Sequence, residues 1–474
     1  MIGDGMGYTH VTDACERFYG AAGQLNLQQA DASGQVSTYA VDPNSAKPNL
    51  AADSASAATA WSSRVKTYNG GPGIDSSGTV VPTLMEQAKA AGMRTGNVST
   101  AEITDATPAG MFSHALKRGC QGPKFSPASC ESKDVATKDP IVITPIAEQI
   151  ARNGTADVIF SGGLGRFEPD DEQAMKAQGY QVLGSFGQAG VDTQTAATQR
   201  VATREELKAA NAAKVIGLLN RGNLTVEQAK ALGKNTQEPA LPEYTAKAIE
   251  LLAAGQGGSD GENNDDGKNK GQDAKGSKGF QLQVEGALID KRSHANDAAQ
   301  TLMEMKAFDD AVKVAKDFAA KDGNTLVITT ADHECAGFNI IGNGSFANAE
   351  AAAPPGNIDS GNTANNSSPS REFAANKKDP ARSTGPVNGS GSGDPKNFAP
   401  ATFRTADDPA GVADGSTDAS LWLTYLSGNH TGADVPIYAV GPQSARFTGP
   451  QDNTDIYRSM FGALQALGNG KSGR

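Results

Sequence analysis

The chain has 474 residues, room for one large α/β domain with insertions or for two ordinary domains. Lys and Arg total 42 against 53 Asp and Glu, a net charge of −11, so a nucleic-acid backbone is excluded as its main partner and an anionic substrate requires local positive charge from metal ions or a well-placed Arg. No segment approaches the roughly 20 apolar residues of a membrane span; no signal peptide is visible either, and the opening Met1-Ile2-Gly3-Asp4-Gly5 reads as a strand end already entering a functional loop, which implies that residues upstream of Met1 are missing.

In chain order, a first short strand ends at Gly3. Asp53-Ser54 caps a helix of small residues that runs through Ala55-Ser56-Ala57-Ala58-Thr59-Ala60 to Trp61. Residues 82–91 read as a helix stopped by Gly92, and 95–100 as a strand. A helix over 144–152 precedes a strand over 157–161 and then Gly162-Gly163. Residues 241–254 are helical, 280–284 a strand and 297–320 a long helix. TLVITT at 325–330 is a β-branched strand of the buried type, 435–440 is another, and 452–467 is a closing helix. Alternating β and α units predict an α/β fold: a three-layer sandwich with a mostly parallel central sheet flanked by helices.

Two segments break this rhythm. Residues 255–279 have almost no apolar side chain and read as a low-complexity surface loop. Within it Glu262, Asn264, Asp266 and Gly267 echo a calcium loop only faintly, since its first position is not Asp and its twelfth is Asp273 rather than Glu. Residues 343–415, rich in Gly, Asn, Ser, Pro and Ala, read as a long insertion, a lid or crown. The expected organisation is one domain over 1–474 carrying these two insertions, without internal repeats. Of the four cysteines, Cys120 and Cys130 flank a short polar loop holding Gly122, Pro123 and Pro127. They read as a small disulfide loop, which implies an oxidising compartment, or as two unrelated buried thiols. Cys15 and Cys335 read as unpaired.

The chain has five histidines, and three of them keep unusual company. Asp290 and His294 are four apart, so both face one way on a helical turn. Asp332-His333 directly follows TLVITT, and His430 lies in Gly428-Asn429-His430-Thr431-Gly432. A lone His beside an Asp is more often a structural hydrogen-bonded pair. Here carboxylates accumulate around the set: Asp4, Glu285 and Asp332 fall at carboxyl ends of predicted strands, where open α/β sheets place their ligand crevice. Asp105 and Thr107 lie just beyond the strand ending at Thr100. Imidazole and carboxylate donors suit zinc, and there are enough for more than one ion. Ser54 reads at its simplest as a residue beside a helix cap; its helix N-terminus also favours an anion. No Ser-His-Asp order is present to deprotonate it, whereas direct coordination to a metal would lower its pKa. Arg118, an ordinary surface residue by burial statistics, has the planar fork that clamps two phosphoryl oxygens.

These motifs resemble those of the alkaline phosphatases. Asp53-Ser54 through Trp61, followed by Val65-Lys66-Thr67-Tyr68-Asn69-Gly70, is similar to the family's nucleophile segment. Gly3 to Gly7, Asp105 to Pro108, Val284 to Lys291, Thr330 to His333 and His430 to Gly432 follow in the family's order over nearly the whole chain. The resemblance implies two zinc ions and one magnesium ion. Ser54 would be the nucleophile, forming a phosphoserine. Asp290, His294 and His430 would hold the first zinc, and Asp4, Asp332 and His333 the second. Asp4 would bridge to a magnesium site completed by Thr107 and Glu285, with Asp105 near it through water. Arg118 would bind phosphate, and Lys291 would join its water network. Asp105 with Lys291 resembles the bacterial type, as does the Cys120–Cys130 loop. The implied activity is hydrolysis of small phosphate monoesters with broad specificity and an alkaline optimum, in a periplasmic or secreted homodimer. A sulfatase reading fails because Ser54 lacks a C/S-x-P-x-R context. A phosphodiesterase is disfavoured by Thr107 with Glu285, a non-catalytic metal- or phosphate-binding protein by the complete ligand set, and a mutase by the lack of extra substrate-contact residues.

Overall fold

The computed structural model describes residues 1–123, 127–132, 135, 140–188, 198–254, 278–341, 401–415, 418–426 and 428–469. Most of the segment 255–279, with its faint calcium-loop echo, and most of 343–415 lie outside the described residues.

Ten strands form the main sheet: β1 Ile2–Gly3, β2 Ala32–Ser37, β3 Arg94–Glu102, β4 Val158–Gly162, β5 Gln181–Leu183, β6 Val215–Leu218, β7 Phe280–Gly286, β8 Val327–Thr330, β9 Val435–Val440 and β10 Gly449–Asp452. Their order is β10-β2-β9-β8-β1-β7-β3-β4-β6-β5. Only β9 runs against its neighbours β8 and β2; every other pairing in this sheet is parallel. Helices cover both faces. On one, α1 Tyr8–Tyr19, α5 Leu241–Ala253 and α7 Ala298–Asp322 pack together; on the other lie α2 Ser54–Ser63, α3 Leu84–Ala90 and α8 Asn453–Asn469. This is the expected α/β sandwich. The core is continuous through the layers, from Val98, Phe160 and Ile216 in the sheet to Leu252, Met305 and Phe308 on the helices.

Element ends moved by one or two residues for identifiable reasons. The helix expected from residue 82 begins at Leu84, because the Thr83 hydroxyl accepts from the Glu86 N–H at 3.2 Å and Glu86 Oε2 accepts from the Thr83 N–H at 2.8 Å, a reciprocal cap. Strand β7 continues to Gly286, so Glu285 is in the ladder rather than after it. Cys120 and Cys130 form the expected disulfide.

Helix α2 has no solvent-facing side, and from Ser54 to Ser62 every residue is buried. Small side chains let neighbouring backbone come close: a methyl group on Gly110 would stand 2.6 Å from Ala58 Cβ. That approach carries the turn Ala106–Ala109, and with it Asp105 and Thr107, to the start of α2. Glycine serves a second role beneath Glu285, where a side chain on Gly286 would meet the Phe308 ring at 2.9 Å. Strand β3 is polar yet buried; its Asn97 Nδ2 donates to Pro108 O at 2.9 Å and ties the same turn to the sheet.

On α7, Glu304 is fully buried and accepts from the Glu227 N–H at 2.7 Å. Burial first, and then the Glu227 charge, push its carboxyl up to about 8 against the opposing pull of Lys230 and Arg292. The folded protein therefore holds this proton where the unfolded chain releases it, and stability falls as pH rises between the normal Glu range and about 8. Glu304→Gln, a neutral isostere, removes that fall. Thermal melts should show the variant gaining on the parent at pH 9 relative to pH 5; parallel pH profiles would contradict this account.

Candidate metal and phosphate site

The carboxyl ends of the central strands converge on one buried cluster. β1 delivers Asp4, β7 delivers Glu285, β8 leads to Asp332 and His333, and the extension of β3 leads to Asp105 and Thr107. A short helix, α6 Leu288–His294, follows β7 and carries Asp290, Lys291 and His294. His430 arrives on a two-residue strand, His430–Thr431, paired antiparallel with Glu334–Cys335. Gly5, at φ +71°, lets the chain turn tightly after Asp4; a side chain there would stand 2.9 Å from the Asp290 backbone. Every one of these site residues, Ser54 and Arg118 included, is buried.

Two donor groups form. The first joins Asp290, His294 and His430 with Cys335, and the second joins Asp4, Asp332 and His333. In the first, His294 Nδ1 lies 2.7 Å from Gly428 O and His430 Nδ1 lies 2.9 Å from Ala52 O. A carbonyl only accepts, so each Nδ1 carries the proton and each neutral ring turns its Nε2 lone pair inward. Those two Nε2 atoms are 3.0 Å apart and lie 3.2 and 3.5 Å from the Asp290 carboxylate oxygens. Lone pairs and an anion directed at one another make a cation site. With no ion bound, burial would raise the Asp290 carboxyl, but positive charge on His294 and His430 and hydrogen bonds from them more than reverse it and hold it well below the usual range; a cation would take the place of that positive charge.

In the second group Asp332 Oδ1 accepts from the Gly5 and His333 N–H groups, both at 2.9 Å, while Oδ2 sits 3.0 Å from His333 Nε2. Against burial, the His333 ring holds the Asp332 carboxyl down to about 2. Asp4 is pushed far up, by burial first and then by the charges of Asp332, Asp290 and Glu285. Asp4 Oδ1, 3.8 Å from His333 Nε2, accepts no hydrogen bond. Ser54 Oγ is 3.2 Å from the same His333 nitrogen, at the first position of α2, where Asp53 accepts the Ser56 N–H at 2.9 Å.

The expected magnesium set is less condensed. Glu285 is pushed up to about 7, chiefly by burial, with Ser99 donating to its Oε2 at 2.5 Å. Thr107 Oγ1 is buried without a hydrogen-bond partner, which leaves an oxygen for a hard cation. Asp105 is committed elsewhere: Oδ1 accepts from Arg118 Nη2 at 2.8 Å and Oδ2 from Lys291 Nζ at 2.7 Å. Arg118 Nη1 also reaches Asp53 Oδ2 at 3.2 Å. The guanidinium and ammonium groups outweigh burial and keep the Asp105 carboxyl far below its normal range. Asp53, Ser99 and Cys335 did not stand out in the sequence as parts of the site. Asp53 was readable only as a helix cap, and Cys335 becomes conspicuous only through its cross-strand register with His430. The other two histidines are structural: His10 Nδ1 accepts from the Gly7 N–H at 3.3 Å, and His114 bridges Gly73 O and Glu86 Oε1. A cavity of about 470 Å³ lies at the opposite end of the strands among Met1, Phe280, Leu326 and Leu464, and none of these donors lines it.

A mostly parallel sheet that gathers carboxylate–imidazole groups around a helix-capped serine is suited to metal-dependent hydrolysis. The chain matches the alkaline phosphatase family model over residues 1–466 and belongs to that family, whose members hydrolyse phosphate monoesters. It is 32% identical to alkaline phosphatases of Escherichia fergusonii and Escherichia coli K12, covering 98% of this chain and 84% and 85% of theirs. Among solved structures it resembles the cold-active alkaline phosphatase of a psychrophilic Shewanella species, with a TM-score of 0.64, 25% identity and 98% of both chains covered. No helix among the described residues is long and apolar enough to cross a membrane.

The Asp105 contacts carry a prediction. Asp105→Ala leaves two buried cations, Arg118 and Lys291, without their shared counter-charge, a loss that costs about 3–5 kcal/mol. Denaturant titration should show the midpoint falling accordingly; an unchanged midpoint would mean that the triad contributes nothing to holding this corner of the fold.

Proposed function

We propose that the protein hydrolyses phosphate monoesters through a phosphorylated Ser54, with broad specificity and an alkaline optimum. Asp290, His294 and His430 would hold one zinc, Asp4, Asp332 and His333 a second, and Asp4, Thr107 and Glu285 a magnesium, with Asp105 nearby through water. When bound, such ions lower the pKa of coordinated hydroxyl groups and water and neutralise charge on the attacking and leaving oxygens. The observation that carries the reading is Ser54 itself: its Oγ lies 3.2 Å from His333 Nε2, buried at the N-terminus of α2.

In the proposed reaction Ser54 Oγ attacks phosphorus in line with the ester oxygen. The P–O bond to the alcohol breaks and the phosphoryl group passes to Ser54. Water then attacks the same phosphorus, releasing inorganic phosphate and restoring the serine hydroxyl. Arg118 would pair with equatorial phosphoryl oxygens, its plane already set by Asp53 and Asp105. Lys291, fixed on Asp105, would add positive charge to the phosphate and water network. Recognition centred on the phosphate leaves the alcohol largely unread, which favours broad specificity. The Cys120–Cys130 disulfide favours a periplasmic or secreted protein, and a homodimer is the proposed assembly.

Replacing Ser54 with Ala should leave metal content unchanged while turnover of p-nitrophenyl phosphate falls at least about 1000-fold, and labelled substrate should mark the parent but not the variant. Hydrolysis of the bis ester should be far slower than that of the monoester. Retention of most zinc-dependent activity by the variant would sink the nucleophile assignment. Preference for the bis ester would point to a phosphodiesterase.

A further inference from the structure

We propose that Asn69 is a positioning residue for the reaction: its side-chain amide clamps the chain that enters α2, and so sets where Ser54 and the backbone acceptor of His430 stand. The inference rests on the Ser54 reading above and gives a role to a residue that the motifs leave without one.

Three hydrogen bonds carry it. Asn69 Oδ1 accepts from the Asp53 N–H at 2.9 Å and from the Ser56 hydroxyl at 3.0 Å, while Nδ2 donates to Ala51 O at 2.9 Å. The two backbone groups it takes flank Ala52, as a neighbouring strand would take them. Ala52 itself, wholly buried, turns its carbonyl to His430 Nδ1 at 2.9 Å. A single orientation of the amide satisfies this set, because the Asp53 N–H can only donate and Ala51 O can only accept. An asparagine that merely shapes a turn bonds to its own backbone two residues on. Asn69 instead reaches residues 13 to 18 positions away.

The amide can act as a clamp because its own backbone is held. Tyr68 donates its hydroxyl to Leu116 O at 2.8 Å, Gly70 O accepts from the Arg118 N–H at 2.7 Å, and the Gly73 N–H donates to Thr59 Oγ1 at 2.8 Å. Residues 68–73 are thus lashed to the backbone that carries Arg118 on one side and to α2 on the other. Ser54 directly follows Asp53, so losing the Asn69 bonds frees the peptide that leads into the nucleophile. Arg118 meanwhile keeps Asp53 Oδ2, Asp105 Oδ1 and Gly70 O. The clamp therefore governs how Ser54 lines up with phosphorus rather than how tightly phosphate binds. In-line attack is sensitive to such placement, and a shift of about 1 Å costs about 100-fold in rate.

Asn69→Ala tests this by a split between two constants. With p-nitrophenyl phosphate, kcat/KM should fall about 10–100-fold, and single-turnover phosphoryl transfer to Ser54 should slow equally. The inhibition constant of inorganic phosphate should stay at the parent value. In a Ser54→Ala background the same substitution should cost nothing further, since no serine is left to align. Asn69→Asp keeps the acceptor for Asp53 and Ser56 but loses the donor to Ala51 O; it must show the same dependence on Ser54, and it carries the cycle if the Ala variant folds poorly. Parent-like kcat/KM, equal losses with and without Ser54, or a matching loss of phosphate affinity would each overturn the role of Asn69 and leave the nucleophile assignment intact. Retention of most activity by Ser54→Ala alone would overturn both.

Discussion

The constraint on which the rest of this protein depends is the crowding of buried carboxylates at one end of its sheet. Asp4 and Glu285 move up from the normal carboxylate range, by burial first and then by neighbouring charge, that of Asp332, Asp290 and Glu285 on Asp4 and that of Asp105 on Glu285. Two like charges about 4–5 Å apart repel by roughly 3–4 kcal/mol even at an effective dielectric of about 20. Parallel strands make this unavoidable, because their carboxyl ends all open on the same crevice. The protein's own cations answer only part of it: Lys291 and Arg118 are spent on Asp105. The remaining negative charge needs either protons or metal ions, so the feature that makes the site reactive also ties the stability of the crevice to its ion content.

Around that crevice the packing is organised by small residues. Because α2 is built of Ala, Ser and Thr, the turn bearing Asp105 and Thr107 closes onto it at the Ala58–Gly110 contact. This closure brings Asp105 within reach of Arg118 while Asp53, the cap of α2, accepts the same guanidinium. One acidic residue thus starts the helix and holds the Arg118 guanidinium beside its first turn. Two local requirements, a helix cap and an oriented arginine, are met by a single side chain.

Much of this was legible in the sequence because it is local. TLVITT announces a buried strand, Thr83 and Glu86 announce a helix start, and Asp290 with His294 share a helical face at a spacing of four. Recurring motifs in one order disclosed the donor set that geometry then brought together. What stayed hidden was set by long-range pairing. Nothing in VPIYAV tells that Val435–Val440 runs antiparallel to β8 and β2, since both directions bury the same side chains. Strand β3 misleads in the other direction: Thr95, Asn97 and Ser99 look like surface residues but lie buried in the sheet, where they donate to Asp157, Pro108 O and Glu285. Arg118 looked like a surface residue for the same reason, because its two carboxylate partners lie 65 and 13 residues away.

Cys335 shows the same limit in its sharpest form. In sequence it is a lone thiol two residues beyond His333; in the ladder it faces His430. The two donor groups differ in charge: Asp4 and Asp332 give the second two carboxylates, whereas Asp290 alone gives the first one. In the proposed reaction Arg118, Lys291 and the N-terminus of α2 would supply the fixed positive charge that draws a phosphate dianion into a crevice otherwise crowded with carboxylates.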